Sequence, residues 1–209
     1  QAFSAALDGR PVWLAASTHP GEEALILDCH RSLSAAWPDL LTIIAPRHPD
    51  RRDELAALLD DVGIPWSQRS AGHVPSQEDG IYLADTLGEM GLLFATTPLV
   101  FMGGSLVPIG GHNPIEPAHF GCVILHGPHM ENFRAIREQG QALKAMIAIS
   151  DVDELTAQVK TLLDGSTPMA PWQENAKQMA KAEQGVIDRL LAILDAELPA
   201  AIMAPVDHH

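Results

Sequence analysis

The chain has 209 residues with 13 Lys and Arg against 27 Asp and Glu, a net charge of −14. That length accommodates one large domain, and 46% apolar with only 19% charged residues exclude a disordered polymer. So acidic a chain is a poor binder of nucleic acid or of anionic membranes, because both recognitions rest on clustered cations.

Short apolar runs alternate with helical patterns. Val12 to Ser17 reads as a buried strand, and Glu22 to Ala36 as a helix with Ala24, Leu25, Leu27 and Leu33 apolar. Leu41 to Ala45 is a second strand ended by Pro46, and Asp50 to Val62 a helix with Leu55, Leu58, Leu59 and Val62 on one stripe. Ile64 to Gln68 is a third strand, followed by a polar loop from Ser70 to Gly80. The pattern repeats with a strand at Ile81 to Ala84, a helix at Leu87 to Ala95 and a strand at Leu99 to Met102. A helix opens at Pro114, a strand spans Cys122 to Leu125, Glu131 to Gln139 is helical and Ala145 to Ser150 is the last strand. Ser150 is the expected cap of a helix over Asp151 to Leu163, and a final helical stretch runs from Pro171 to Leu198.

Strands alternating with helices predict an α/β fold, a Rossmann-like parallel sheet with helices on both faces. The expected organisation is an extension at 1–10, a Rossmann-like domain at 11–170, a helical segment at 171–198 and a tail at 199–209. His208-His209 resembles an affinity-tag remnant, and Gln1 in place of Met suggests a piece of a longer chain. The longest apolar runs fall far below the ~20 residues of a spanning helix, and residues 1–10 lack the features of a signal peptide. Cys29 and Cys122 form no CxxC and are expected to be buried reduced thiols.

Ligands of open parallel sheets sit beyond the carboxyl ends of the strands, so four loops carry the functional expectation. Ser17-Thr18-His19-Pro20-Gly21 precedes a helix, where Ser17 or Thr18 caps it or holds an anion on its free N–H groups. In Pro46-Arg47-His48-Pro49 the prolines stiffen a lone Arg that either grips phosphate or carboxylate or pairs with Asp50 or Asp53. His48 is read there as a loop-stabilising hydrogen bonder. In Asp85-Thr86-Leu87-Gly88-Glu89, Asp85 or Thr86 caps a helix with Glu89 completing a capping box, or the amides of Leu87, Gly88 and Glu89 meet a ligand.

The fourth loop, Gly103 to Pro117, holds two Gly-Gly pairs. Asn113, Pro114 and Glu116 fit N-cap, N1 and N3, while the glycines and His112 ask for another reason. Bare backbone for phosphate oxygens and a carboxylate for ribose hydroxyls would supply one. Neither GxGxxG nor a P-loop lysine motif is present. His112, His119, His126 and His129 lack metal-ligand spacing, so neither metal nor cofactor is expected.

Ser17-Thr18-His19-Pro20-Gly21-Glu22-Glu23, Pro46-Arg47-His48-Pro49, Asp85-Thr86-Leu87-Gly88-Glu89, Phe101-Met102-Gly103-Gly104-Ser105, Gly110-Gly111-His112-Asn113-Pro114-Ile115-Glu116 and Gly127-Pro128-His129-Met130-Glu131-Asn132-Phe133 follow one another in that order. Together they resemble the 3-deoxy-D-manno-octulosonic acid (Kdo) transferases, which attach Kdo from CMP-Kdo to lipid A precursors in lipopolysaccharide biosynthesis. The resemblance implies a GT-B glycosyltransferase, of which this chain looks like the C-terminal, donor-holding half. It implies CMP contacts at Pro46, Arg47, Leu87, Gly88, Glu89, Asn113, Pro114, Ile115 and Glu116. It implies further donor contacts at Ser17, Thr18, His19, Gly104, Ser105, Gly111 and His112.

The family's general base, its membrane anchor and much of the acceptor surface belong to the other half. The resemblance therefore implies no catalytic residue here, a soluble chain inactive alone, and a full-length enzyme at the cytoplasmic face of the bacterial inner membrane. A GT-B transferase or epimerase using a UDP-sugar and a non-catalytic nucleotide-binding domain are the rival readings.

Overall fold

Seven runs rich in Val, Ile, Leu and aromatic residues pair into one parallel sheet. The computed structural model describes residues 2–7 and 9–197; the expected tail lies outside them. In chain order the elements are α1 (Ala2–Ala6), β1 (Val12–Thr18), α2 (Glu22–Ser34), β2 (Leu41–Pro46), α3 (Arg52–Val62), β3 (Trp66–Gln68), β4 (Ile81–Leu83), α4 (Met90–Thr96), β5 (Leu99–Met102), α5 (Ile115–Phe120), β6 (Val123–His126), α6 (Arg134–Ala142), β7 (Met146–Ala148), α7 (Val152–Leu163) and α8 (Ala170–Glu197). Two 3-10 turns, Pro49–Arg51 and Glu131–Phe133, lead into α3 and α6.

The strand order is β3-β4-β2-β1-β5-β6-β7, and every pairing is parallel. From β1 the chain works outward on one side through β2, then resumes on the other side at β5. The loops after β1 and β5 consequently diverge, and a crevice opens between them.

Side chains alternate across the sheet, so each strand feeds two cores. Leu14, Ala16, Ile43, Val100, Met102 and Ile124 join one, together with Met179 and Ala180 of α8. Trp13, Ala15, Ile44, Phe101, Val123 and Leu125 join the other, against α2, α3 and α7. Burial on both faces explains why the strands read as continuous apolar runs. Truncating a fully buried ring such as Phe101 would remove about 3–5 kcal/mol. Cys29 and Cys122 are buried and unpaired, and burial pushes their thiols up to about 11 and about 12.

Residues expected to form an extension are tied to the sheet. Phe3 and Leu7 enter the first core, with the Phe3 ring 5.4 Å from that of Tyr82. Arg10 is buried, and its guanidinium donates to the carbonyls of Asp39, Ser76 and Asp79 at 2.8, 2.8 and 2.6 Å.

Several boundaries move for identifiable reasons. β3 begins at Trp66, because Pro65 has no N–H and its carbonyl instead accepts from Gly80 and Ile81. The buried face of α2 is Ile26, Leu27, Cys29, His30 and Leu33, while Ala24 is exposed and Leu25 half-buried. The cap of α7 is Asp151, accepting from the Glu154 N–H at 2.9 Å; Ser150 stands one residue earlier and donates to the Glu154 carboxylate.

His30 gives the fold an acid sensitivity. It is 3% exposed, bonds Thr42 through Nδ1 at 2.9 Å, and is pushed down to about 4 by burial and then by Arg10 and Arg31. A depressed histidine stays neutral when folded, so below its unfolded pKa near 6.5 only the unfolded chain takes the proton. Stability is full above that value and is lost as pH falls towards 4, by about 3 kcal/mol from this group. Urea midpoints at pH 7 and pH 4.5 should show this fall, and His30→Gln should make it shallower; an equal fall in the variant refutes the assignment.

Candidate functional site

The crevice between β1 and β5 is closed at its root by backbone. The Gly103 N–H donates to the Ala16 carbonyl at 2.7 Å, and a Cβ on Gly103 would stand 2.6 Å from the Ser17 carbonyl oxygen. No residue larger than glycine fits between those main chains. Ser17 itself has φ +56, an uncommon left-handed conformation for a residue with a side chain.

A buried carboxylate then organises both loops. Glu22, the first residue of α2, is 0% exposed. Its Oε2 accepts from the His19 and Gly104 N–H groups at 3.0 and 2.6 Å, and its Oε1 from those of Ser105 and Leu106 at 3.1 and 3.0 Å. Beside it, Glu23 accepts from Thr18 Oγ1 at 2.9 Å and from Arg51 Nη1 at 2.7 Å, and Arg51 also reaches Glu54. Both acids sit at the positive end of the α2 dipole, where a carboxylate is favoured.

This arrangement commits polar groups of four residues expected to contact the donor. The Gly104 and Ser105 amides, expected to face phosphate, are given to Glu22. The Ser105 hydroxyl is buried and spans the Met102 carbonyl and the Gly127 N–H. Thr18 is buried and spent on Glu23, and buried Gly111 donates its N–H to Gly104 O at 2.8 Å. Neither Ser17 nor Thr18 caps α2, whose cap is Gly21 with no side-chain bond. Sequence reasoning took the Glu22-Glu23 pair as part of a motif without assigning it this role. Two adjacent acids opening a helix without a nearby Lys or Arg were the available signal.

An open cleft of about 460 Å³ lies at the carboxyl ends of β1, β2 and β4, lined by Ser17, Pro46, Arg47, Thr86, Leu87 and Gly88 among others. The Arg47 guanidinium is exposed and makes no hydrogen bond or ion pair among the described residues; the expected partners Asp50 and Asp53 do not reach it. It is an unspent cation at the cleft. A roomier groove of about 690 Å³ at the C-terminal end of α2 lies at the opposite end of the sheet.

Leu87, Gly88 and Glu89 do not begin a helix. Gly88 has φ +81, Glu89 is the cap of α4 and the helix starts at Met90. Leu87 is 80% exposed. The Glu89 carboxylate receives the Thr86 hydroxyl and two nitrogens of Arg69, at 2.9 and 2.6 Å, and these bonds hold it down at about 2. Asp85 is likewise committed, accepting from Gln68 and from the amide and hydroxyl of Ser70. The expected capping box is therefore replaced by ties to the loop after β3.

Asn113, Pro114, Ile115 and Glu116 follow β5 and border the crevice without lining this cleft. The cap of α5 falls on Pro114, with Asn113 one residue earlier, its Oδ1 accepting from the Ile115 N–H at 3.0 Å. Asn113 and Glu116 are exposed.

The β1 and β5 loops meet again through imidazoles. His19 and His112 lie Nε2 to Nε2 at 2.8 Å with ring planes 9° apart. His48 makes no side-chain hydrogen bond as expected of it; it sets its edge against His19 at 85°. Gly104, at φ +66, underlies the pair, where a Cβ would stand 3.2 Å from His112. Burial, then the positive charges of His19, Arg47 and His48, push His112 down to about 4, and burial lowers His19. His126 instead bonds the Gly127 carbonyl, and His129 approaches Glu131. No group of three or more His, Cys, Asp or Glu among the described residues is placed to hold a metal ion, and no helix among them is long and apolar enough to cross a membrane.

No protein-family model matches the chain. The chain is 35% identical over 186 residues to the 3-deoxy-D-manno-octulosonic acid transferase of Haemophilus influenzae, covering 88% of this chain and 44% of that protein. It is 34% identical to the enzyme of the same name from Rickettsia bellii, covering 92% and 46%. The chain thus spans less than half the length of these curated relatives. The crystal structure of the C-terminal CMP-Kdo binding domain of WaaA from Acinetobacter baumannii superposes with a TM-score of 0.79 at 30% identity, covering 83% of this chain and 90% of that one. Anabaena HepE in complex with UDP-glucose shares the fold at a TM-score of 0.65 and 15% identity, covering 92% of this chain and 50% of that one.

Replacing Glu22 tests the organising role. In Glu22→Gln one end of the side chain becomes an NH₂ group facing two N–H donors, costing about 2–4 kcal/mol. Thermal unfolding should show a Tm lower by roughly 5–15 °C; an unchanged Tm refutes the role.

Proposed function

The chain belongs to the 3-deoxy-D-manno-octulosonic acid (Kdo) transferase family, and we propose that it forms that enzyme's donor domain, holding CMP-Kdo at the crevice between β1 and β5. The observation that carries this reading is Arg47, an exposed guanidinium without a partner among the described residues, at a cleft beyond the strand ends. Arg51 and Arg69, the other arginines beside the loops, are already paired with Glu23 and Glu89.

In this reading Arg47 grips the donor phosphate, its planar fork suited to two oxygens. Pro46 and Pro49 hold its backbone stiff, and the Leu87-Gly88 segment forms the opposite wall. Exposed Asn113 and Glu116 take polar groups of the nucleoside, with the Glu116 carboxylate accepting ribose hydroxyls. The Glu22 and Glu23 networks bind no ligand; they fix the loops that do.

The reaction proposed for the longer protein is an inverting transfer. An acceptor hydroxyl oxygen bonds to the anomeric carbon of Kdo as the bond from that carbon to the phosphate oxygen breaks. A general base takes the hydroxyl proton, and CMP departs with its charge met by Arg47. The base, the lipid A precursor site and the attachment to the bacterial inner membrane are all proposed to lie in the part of the relatives that this chain does not span. The 209 residues alone are then a binding domain without transfer activity.

Calorimetry with CMP and UDP tests the donor. CMP should bind the 209-residue chain more tightly than UDP, and Arg47→Ala should weaken CMP by about 10- to 100-fold, the worth of a charged hydrogen-bond pair. Preference for UDP would point to a UDP-sugar enzyme and overturn the reading. Kdo transfer by the isolated chain would overturn the assignment of the base to the remainder.

A further inference from the structure

The segment after β6, Gly127 to Phe133, does not line the cleft, yet it holds the β5 loop. The Gly127 N–H donates to Ser105 Oγ at 2.9 Å, and the His129 N–H to the Ser105 carbonyl at 3.0 Å. Asn132 grips two consecutive carbonyls, that of Gly110 through its N–H at 3.1 Å and that of Ile109 through Nδ2 at 3.2 Å. Glu22 meanwhile takes the amides of Gly104, Ser105 and Leu106. The β5 loop thus spends three amides on α2 and three carbonyls on the segment after β6.

The same segment accounts for the second glycine pair. Gly110 and Gly111 have φ +101 and +77. A Cβ on Gly110 would stand 2.7 Å from the Asn132 amide carbon. One on Gly111 would run into Met130 Sδ and stand 3.0 Å from the His129 carbonyl oxygen. Met130 is anchored in the first core, whereas Asn132 is exposed. The side on which these glycines lack a Cβ therefore meets protein, and the pair makes a tight turn ending two residues before Asn113.

We propose that Asn132 is a positioning residue for nucleotide binding: it clamps the turn at Gly110 and so sets Asn113 and Glu116 for the nucleoside, without touching the ligand. The proposal rests on the donor-site reading and adds to it a residue outside the assigned contacts. Only His112, Asn113 and Pro114 separate Gly111 from α5, so a shift of the turn passes directly to Asn113 and to Glu116 in the first turn of that helix. Released from Asn132, the turn samples other positions, and apparent affinity falls with the fraction of chains in the competent one. Loss of one such hydrogen bond corresponds to about 3- to 10-fold in CMP affinity.

Mutant cycles read by NMR titration of the 209-residue chain with CMP test the assignment. Asn132→Ala should weaken CMP by that factor and leave Tm nearly unchanged, since the side chain is exposed. In a background carrying Asn113→Ala and Glu116→Ala the same change should cost less than about twofold, because the groups it positions are gone. In an Arg47→Ala background it should cost the full factor. Asn132→Asp keeps the shape but turns a carboxylate oxygen towards the Ile109 carbonyl, and should bind CMP as weakly as Asn132→Ala or more weakly.

Unchanged CMP affinity in Asn132→Ala overturns the proposal and leaves the donor site standing. An equal loss in all backgrounds overturns it too, as does a failure of both Asn132 variants to fold, which would make the residue structural alone. No binding of CMP by the unaltered chain removes the donor-site reading as well.

Discussion

Four backbone N–H groups converge on one buried carboxylate, and the geometry of the whole crevice follows from that convergence. Where a parallel sheet reverses its winding, two loops leave neighbouring strands in opposite directions and nothing in the ladder holds them together. Glu22 supplies the missing connection, binding amides on both sides of the gap from the first turn of α2. Charged acceptors make stronger bonds to N–H groups than neutral ones, and a water-excluded position strengthens them further. Protein carboxylate thereby occupies the amide array that loops of this shape often offer to phosphate. The ligand is left to side chains instead, which is why Arg47 matters.

The distribution of charge reconciles an acidic chain with an anionic ligand. Glu23 and Glu89, two acids beside the crevice, are matched by Arg51 and Arg69. Those two arginines serve the scaffold and cancel locally. Arg47 alone of the three is left facing solvent at the cleft, close enough to His112 for its charge to be felt there. The field at the strand ends therefore differs from what a net charge of −14 suggests.

Most strand identities were legible because the central strands are runs of apolar residues buried on two faces; the edge strand β3, Trp66–Gln68, is only half-buried. Helix α7 was legible because its cap and its apolar stripe are local, and even there the cap slipped by one residue to Asp151. The loops were not. Glu22 bonds amides 82 to 84 residues away, a separation at which no spacing rule operates. Local chemistry misled at Thr86 and Glu89, whose three-residue spacing imitates a capping box although Arg69 claims the carboxylate. It misled again at Arg47, where nearby acids suggested partners that the 3-10 turn at Pro49–Arg51 directs elsewhere. The family motifs marked the loops that meet at the crevice, but not which of their residues face inward to hold it together.

Arg10 carries a consequence for where this folding unit begins. Its guanidinium gathers carbonyls from the turn before β2 and from the loop before β4, and Phe3 stands against Tyr82 under the same edge. A boundary drawn just before β1, where the first strand invites one, would strip three acceptors of their donors and uncover an aromatic ring. The minimal autonomous piece reaches back through α1, so a protease or an engineer dividing the parent chain meets its safe cutting point upstream of Phe3.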